Sequence, residues 1–203
     1  MRIFIAGASG VIGVRLIPLL AADGHVVAGM TRSSGKAGLL RELGALPVVC
    51  DVFDDDALTE ALAGFGPEVV FHQLTDLPDA AADRARYGDR NDRMRSEGTR
   101  NLLAAAAAAG AGRVIAQSIS WELPTEHRRA VTAAHERAVL QAGGVVIRYG
   151  QLWGPGTYYQ TAPPDPPRIH VDDAARQTMP ALQAPPGLTI VADDRATRRQ
   201  SPG

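Results

Sequence analysis

Short apolar runs alternate with helical stretches along most of this chain. RIFIAG (2–7), HVVAGM (25–30), LPVVCD (46–51), EVVFHQL (68–74), GRVIAQS (112–118) and GVVIRYG (144–150) each read as a buried strand. Between them the spacing turns helical: about Val11 to Ala22, KAGLLRELG (36–44), ALTEALAG (57–64), a long polar-then-alanine stretch from roughly Asp79 to Ala109, and TAAHERAVLQ (132–141). Asp54–Asp56 offer an N-cap to the third of these. Strands this apolar need cover on both faces, which a parallel sheet with crossover helices supplies. Right-handed crossovers then give a Rossmann-like, doubly wound α/β fold. Beyond Gly150 the alternation stops. Residues 154–168 are proline-rich loop, 168–182 resume as a short strand and helix, LTIVAD (188–193) is a last strand, and the polar tail is expected to fray. The expectation is one domain over 1–203, with a core of about 1–150 and a reduced C-terminal substrate lobe over about 151–195.

Composition narrows the class. With 203 residues the chain can bury a sizeable core, and its 45% hydrophobic and 21% charged residues are ordinary for a globular protein. A formal net charge of -1 gives no global field toward nucleic acid or an anionic membrane, so neither is expected as a partner. The single cysteine, Cys50, excludes an internal disulfide and a cysteine-based zinc site, and fits a reducing cytoplasm. No two histidines have metal-ligand spacing. No run of about 18 strongly apolar residues suggests a membrane span, and Ala104–Ala109 is helix-forming rather than membrane-seeking. MRIFIAGASG lacks a charged n-region and long apolar h-region, so no secretory leader is expected.

The candidate chemistry begins at GASGVIG, which places Gly7, Gly10 and Gly13 directly after a strand and at the opening of a helix. Gly7 permits a tight turn, Gly10 lets the backbone approach a pyrophosphate, and Gly13 allows close helix–strand packing. The helix start adds N–H donors and the positive end of a dipole. A plain strand–helix turn is the alternative. The second strand ends in TRSSGK, which contains Lys36, the only lysine. There is no carboxylate here to take a ribose 2′-hydroxyl; Arg32, with Lys36 nearby, suits a 2′-phosphate instead. NADP(H) is therefore expected over NAD(H), unless both residues merely solvate a loop and cap a helix. Asp51 closes the third strand, where it either accepts from an adenine amino group, with the Val52 backbone beside it, or caps the following helix.

Taken with VVFHQLT, GTRNLLAAA, RVIAQSIS, VVIRYGQLWGPGT and IHVDDAA, these stretches resemble the short-chain dehydrogenase/reductase superfamily, in its extended or atypical branch, the NAD-dependent epimerase/dehydratase group. The resemblance implies a nucleotide cofactor and a small C-terminal substrate lobe. It implies that Gly7, Gly10, Val11, Ile12 and Gly13 line the pyrophosphate and that Arg32 takes the 2′-phosphate. It further implies that Asp51 and Val52 border the adenine, that Gln73, Leu74 and Thr75 approach the nicotinamide ribose, and that Tyr149 borders the nicotinamide ring. Relatives often pair through two long helices, which would make a homodimer through roughly 79–109 and 126–141.

The family's usual Tyr-x-x-x-Lys is absent. None of Tyr87, Tyr149, Tyr158 and Tyr159 has a lysine four residues later. Matching Glu136 to the acidic residue common in that helix puts Arg128 and Thr132 where the pair would stand. The family's serine falls on Ser118, Ile119 or Ser120. Ser118 is the best candidate to orient a carbonyl, and a strand-end hydroxyl bonding backbone is the alternative. His72, His127 and His135 lie where histidine could do acid–base work. The chain is also brief after SIS and between GPGT and IHVDD. Three functions stay open: an oxidoreductase, epimerase or dehydratase on a small carbonyl, hydroxy or nucleotide-sugar-type substrate with non-standard catalytic residues; an NADP(H)-binding regulator without turnover; or a non-redox isomerase or cyclase on the same fold.

Overall fold

The computed structural model describes residues 1–78 and 87–193. Seven parallel strands form its sheet: β1 (Arg2–Ala6), β2 (Val26–Thr31), β3 (Leu46–Val49), β4 (Val69–His72), β5 (Arg113–Ile119), β6 (Val145–Tyr149) and β9 (Gly187–Val191), in the order β3-β2-β1-β4-β5-β6-β9. A second sheet pairs β7 (Gln151–Trp153) with β8 (Arg168–His170). The helices are α1 (Gly13–Ala22), α2 (Ala37–Glu42), α3 (Asp55–Phe65), α4 (Gly88–Arg93), α5 (Thr99–Ala108), α6 (Glu126–Gln141) and α7 (Val171–Thr178).

Side-chain alternation along the strands splits the core into two layers. Ile3 and Ile5 of β1 pack with α1 and α7, while Phe4 and Ala6 point the other way, onto α3 and α5. Val69 and Phe71 follow the first pair and Val70 the second. Strand order reverses between β1 and β4, so the carboxyl ends of these two strands open the crevice where a doubly wound fold binds its ligand.

The strands fall where apolar runs lie in the sequence. Helix limits differ locally. α3 starts at Asp55 because Asp54 is its N-cap, the carboxylate accepting from the Ala57 N–H at 3.1 Å. α6 begins six residues before the expected Thr132, because the Thr125 side chain accepts from the Arg128 N–H and caps it there. The long helix expected over 79–109 is described only from its residue 88 onward. It widens to one π turn at Met94–Gly98 between α4 and α5. Strand β7 was not expected, since its three residues carry no alternation of their own and are ordered by β8. The polar tail from 194 lies outside the described residues.

Candidate functional site

The glycine turn leaves no space for side chains. Gly7 has φ 89°, and a Cβ there would sit 2.6 Å from the Gln73 carbonyl oxygen at the end of β4. A Cβ on Gly13 would lie 2.5 Å from the Ala8 carbonyl oxygen. The Gly10 N–H donates to the Gly7 carbonyl at 3.0 Å, closing the turn on itself, and Gly10 is exposed. Val11 is half-buried, while Ile12 packs into the α1 layer of the core. Among the described residues no side chain caps α1, and its first turn carries no acid. The Val14 and Arg15 N–H groups already donate to the Gly10 and Ile12 carbonyls at 3.1 and 3.0 Å, so what the helix start offers an external anion is its dipole end and the N–H groups ahead of Val14. The cradle fits a pyrophosphate.

At the far end of β2 the Ser9 and Thr31 hydroxyls hydrogen-bond at 3.0 Å, tying the glycine turn to the strand that presents Arg32. The Arg32 side chain is 44% exposed, and its Nη2 lies 3.4 Å from Asp76 Oδ1. Lys36 is exposed at the end of a single 3-10 turn that leads into α2. Asp51 Oδ1 accepts from the Phe53 N–H at 3.1 Å. It therefore braces its own turn; the helix-cap alternative for Asp51 is corrected, because Asp54 holds that position. The Val52 side chain is in the core, and its carbonyl accepts from Asn101 Nδ2 at 3.1 Å.

Just beyond the carboxyl end of β4, Thr75 is exposed and Gln73 and Leu74 are buried. Gln73 Nε2 is buried and makes no well-aligned hydrogen bond among the described residues, but the Gln73 side chain lies close enough to the Tyr149 hydroxyl to act on its titration. The Tyr149 side chain turns into the α7 layer. Thr178 Oγ1 donates to the Ala174 carbonyl at 2.8 Å, so the Tyr149 hydroxyl donates to Thr178 at 2.5 Å. Burial pushes its pKa up to about 12. Ser118 is also engaged: its hydroxyl donates to Glu136 Oε1 at 2.6 Å, and Arg148 grips the same carboxylate through Nε at 2.8 Å and Nη2 at 2.5 Å. Burial works to raise the Glu136 pKa, but the bonds from Arg148 and Ser118 outweigh it and hold it low. The Ser118 hydroxyl thus bonds a carboxylate rather than backbone. Two residues on, Ser120 Oγ is buried without a partner among the described residues.

The two positions matched to the missing tyrosine and lysine are occupied. Thr132 accepts from Arg95 Nη1 at 2.9 Å, and Arg128 Nε lies 3.8 Å from Asp92. His127 is exposed beside Asp92. His72 and His135 belong to a closed ring of hydrogen bonds. The Leu74 N–H donates to His72 Nδ1 at 3.4 Å, and His72 Nε2 donates to Thr99 Oγ1 at 2.9 Å. Thr99 then donates to His135 Nδ1 at 2.8 Å, His135 Nε2 to the Gln117 carbonyl at 3.0 Å, and Gln117 Nε2 to the Leu74 carbonyl at 3.1 Å. The Gln117 carbonyl can only accept, which fixes His135 as the Nε2–H tautomer and orients every other member. Both imidazoles are neutral: burial drives His72 well below its usual range and His135 to about 4. Among the described residues no group of three or more His, Cys, Asp or Glu is gathered to hold a metal, and no helix is long and apolar enough to cross a membrane.

A glycine cradle at the switch point of a 3-2-1-4-5-6 sheet defines a dinucleotide-binding protein. Comparison gives the family: residues 7–142, more than half of the chain, match the NAD(P)H-binding family model, and the chain belongs to that family. It is 36% identical over 182 residues to a 3-diazoavenalumate denitrifying reductase from a Streptomyces species, covering 78% of this chain and 59% of that protein. It is 31% identical over 177 residues to a 4-hydroxy-2-methyl-3-oxo-4-farnesyl-3,4-dihydroquinoline-1-oxide ketoreductase from Stigmatella aurantiaca, covering 76% and 51%. The chain thus spans between half and three-fifths of the length of these curated relatives. Among solved structures, the UDP-glucose 4-epimerase of Thermotoga maritima superposes with a TM-score of 0.79 at 18% identity, over 96% of this chain and 78% of that one. The Thermus thermophilus UDP-glucose 4-epimerase in complex with NAD gives 0.76 at 21%, over 95% and 78%. The Rossmann-like fold and the NAD(P)-binding class expected from the sequence are both shown.

Proposed function

We propose that the chain is an NADP(H)-dependent oxidoreductase acting on a small carbonyl, hydroxy or nucleotide-sugar-type substrate. The observation that carries this reading is the uncapped, acid-free start of α1 behind glycines too crowded for any side chain, with Arg32 and no carboxylate at the end of β2. Gly7, Gly10, Val11, Ile12 and Gly13 would hold the pyrophosphate, Arg32 and Lys36 the 2′-phosphate, and Asp51 and Val52 the adenine. Gln73, Leu74, Thr75 and the Tyr149 backbone would border the nicotinamide side. When bound, the cofactor supplies the hydride chemistry; the protein supplies the cradle, the orientation and the exclusion of water.

Ser120 Oγ, at the carboxyl end of β5, is buried without a hydrogen-bond partner among the described residues, and the Gln73 amide at the end of β4 lies beside the Tyr149 hydroxyl. A buried polar atom without a partner is costly, and a bound ligand would satisfy the Ser120 hydroxyl. Ser120, rather than Ser118, is then the hydroxyl free to orient a substrate. The engaged Ser118 and Tyr149 favour a second reading, a cofactor-binding protein without turnover.

Calorimetric titration with NADPH and NADP, followed by a screen of aldehydes, aromatic ketones and nucleotide sugars for NADPH oxidation, separates the two. Turnover supports the first reading, tight binding without turnover the second, and absence of binding refutes both.

A further inference from the structure

Arg32 does not stand alone at the adenine end. It shares Asp76 with Arg90 of α4, and the two arms are unequal. Arg90 holds both carboxylate oxygens, Nε to Oδ2 at 3.0 Å and Nη2 to Oδ1 at 3.1 Å. Arg32 makes one long contact at 3.4 Å from a half-exposed side chain. The carboxylate itself is 8% exposed, and the Asp76 N–H donates to Asn91 Oδ1 at 3.1 Å, so it is fixed in place. The Arg90 guanidinium also stacks on the Tyr87 ring, 4.5 Å from its centre.

A buried carboxylate must keep a cationic partner, since leaving it unpaired is strongly destabilising. With Arg90 in place that need is met in a bidentate pair, and the long Arg32 contact is the one that can be released. Without Arg90, Asp76 would have to retain Arg32. The trio carries one net positive charge, with Lys36 exposed on the same loop, so the end of β2 favours an anion.

We propose that Asp76 and Arg90 are specificity-determining residues: Arg90 neutralises Asp76 and thereby frees Arg32 for the 2′-phosphate of NADP(H). This rests on the cofactor assignment above. Neither residue need touch the cofactor; both act through the availability of Arg32.

The test is the ratio of NADH to NADPH dissociation constants, measured by titration of the full chain carrying Arg32→Ala, Asp76→Asn, Arg90→Gln and the Asp76→Asn/Arg90→Gln pair. Arg90→Gln is expected to weaken NADPH up to about fivefold, the size of one partly exposed ion pair, and to leave NADH unchanged. Asp76→Asn removes the competitor, so NADPH binding tightens, and adding Arg90→Gln to it changes the ratio no further. Asp76→Asn carries the same readout should Arg90→Gln fail to fold. If Arg32→Ala shifts the ratio while the Asp76 and Arg90 variants do not, this proposal is overturned and the cofactor assignment stands. If Arg90→Gln is as harmful in the Asp76→Asn background as beside the native aspartate, Arg90 acts on the phosphate directly and the proposal is likewise overturned. If Arg32→Ala weakens both cofactors equally, the assignment itself falls.

Discussion

Lowering the pH from 8 to 5 strikes the ring that joins His72, Thr99, His135, Gln117 and Leu74. His135 has a folded pKa of about 4, lowered first by burial, then by the neighbouring Arg95 charge; its bond to the Gln117 carbonyl and the Glu136 charge oppose this. An unfolded histidine titrates near 6.5, so between these values the unfolded chain binds a proton that the folded chain refuses. The sign follows: stability is full above about 6.5 and falls as the pH drops toward 4. For His135 alone the linkage amounts to about 2 kcal/mol lost by pH 5. His72, shifted in the same direction, adds to it. Against a total stability of about 5–15 kcal/mol this is readily measured. Urea unfolding midpoints at half-unit steps from pH 8 to 5, for the native chain and for His135→Gln, provide the assay. The variant keeps a donor and an acceptor but cannot titrate, so its curve is shallower. Midpoints that stay level across this range, or a His135→Gln curve as steep as the native one, refute the neutral ring. The window also lies above the pH at which carboxylates protonate, which keeps acid unfolding of another origin apart.

Three further perturbations bear on the site. Gly7→Ala forces a Cβ to 2.6 Å from the Gln73 carbonyl oxygen at φ 89°, so a loss of about 2–4 kcal/mol in thermal unfolding and of measurable NADPH binding is expected; native-like binding would contradict the cradle. Ser118→Ala removes one bond to Glu136 but leaves Arg148 in place, so stability should drop by about 1 kcal/mol with NADPH affinity unchanged. Any turnover found should survive Ser118→Ala and fall with Ser120→Ala; the reverse would restore Ser118 as the orienting hydroxyl. Thr99→Val leaves His72 Nε2 and His135 Nδ1 without their partner, and chemical denaturation should show a cost of about 2–4 kcal/mol.

The sheet was legible because its signal is local. A run such as RIFIAG carries its own burial, and the glycines at 7, 10 and 13 report a crowding that backbone geometry alone imposes. The residues that decide how the site works are joined across the chain. Arg32 meets Asp76 from 44 positions away, and Ser118 meets Glu136 from 18. Nothing in the local pattern marks Asp76, which reads as one polar residue after a strand, or Thr99, which reads as a helix surface. Their roles depend on the parallel register that brings the ends of β2, β4 and β5 together and on the π turn that carries Arg95 inward. The orphaned Ser120 hydroxyl was equally hidden, because the sequence shows two serines in QSIS and only packing tells which of them the Glu136 carboxylate has already taken.

The replaced tyrosine and lysine positions bear on the chemistry as well as on the fold. Thr132 and Arg128 face the α4–α5 helix, where they partner Arg95 and Asp92, so the surface of α6 that would carry a proton-transfer pair is occupied in holding two helices together. Tyr149 cannot stand in for the missing tyrosine, because its hydroxyl is tied to Thr178 with a pKa of about 12. His72 and His135 cannot either, since both are neutral and each nitrogen of the pair is already bonded within the ring. Among the described residues, Ser120 Oγ at the end of β5 is the buried hydroxyl left without a hydrogen bond. A hydroxyl can orient a substrate, and the proton that a reduced carbonyl requires would have to come from a group other than Tyr149, His72, His135 or the Arg128 and Thr132 positions.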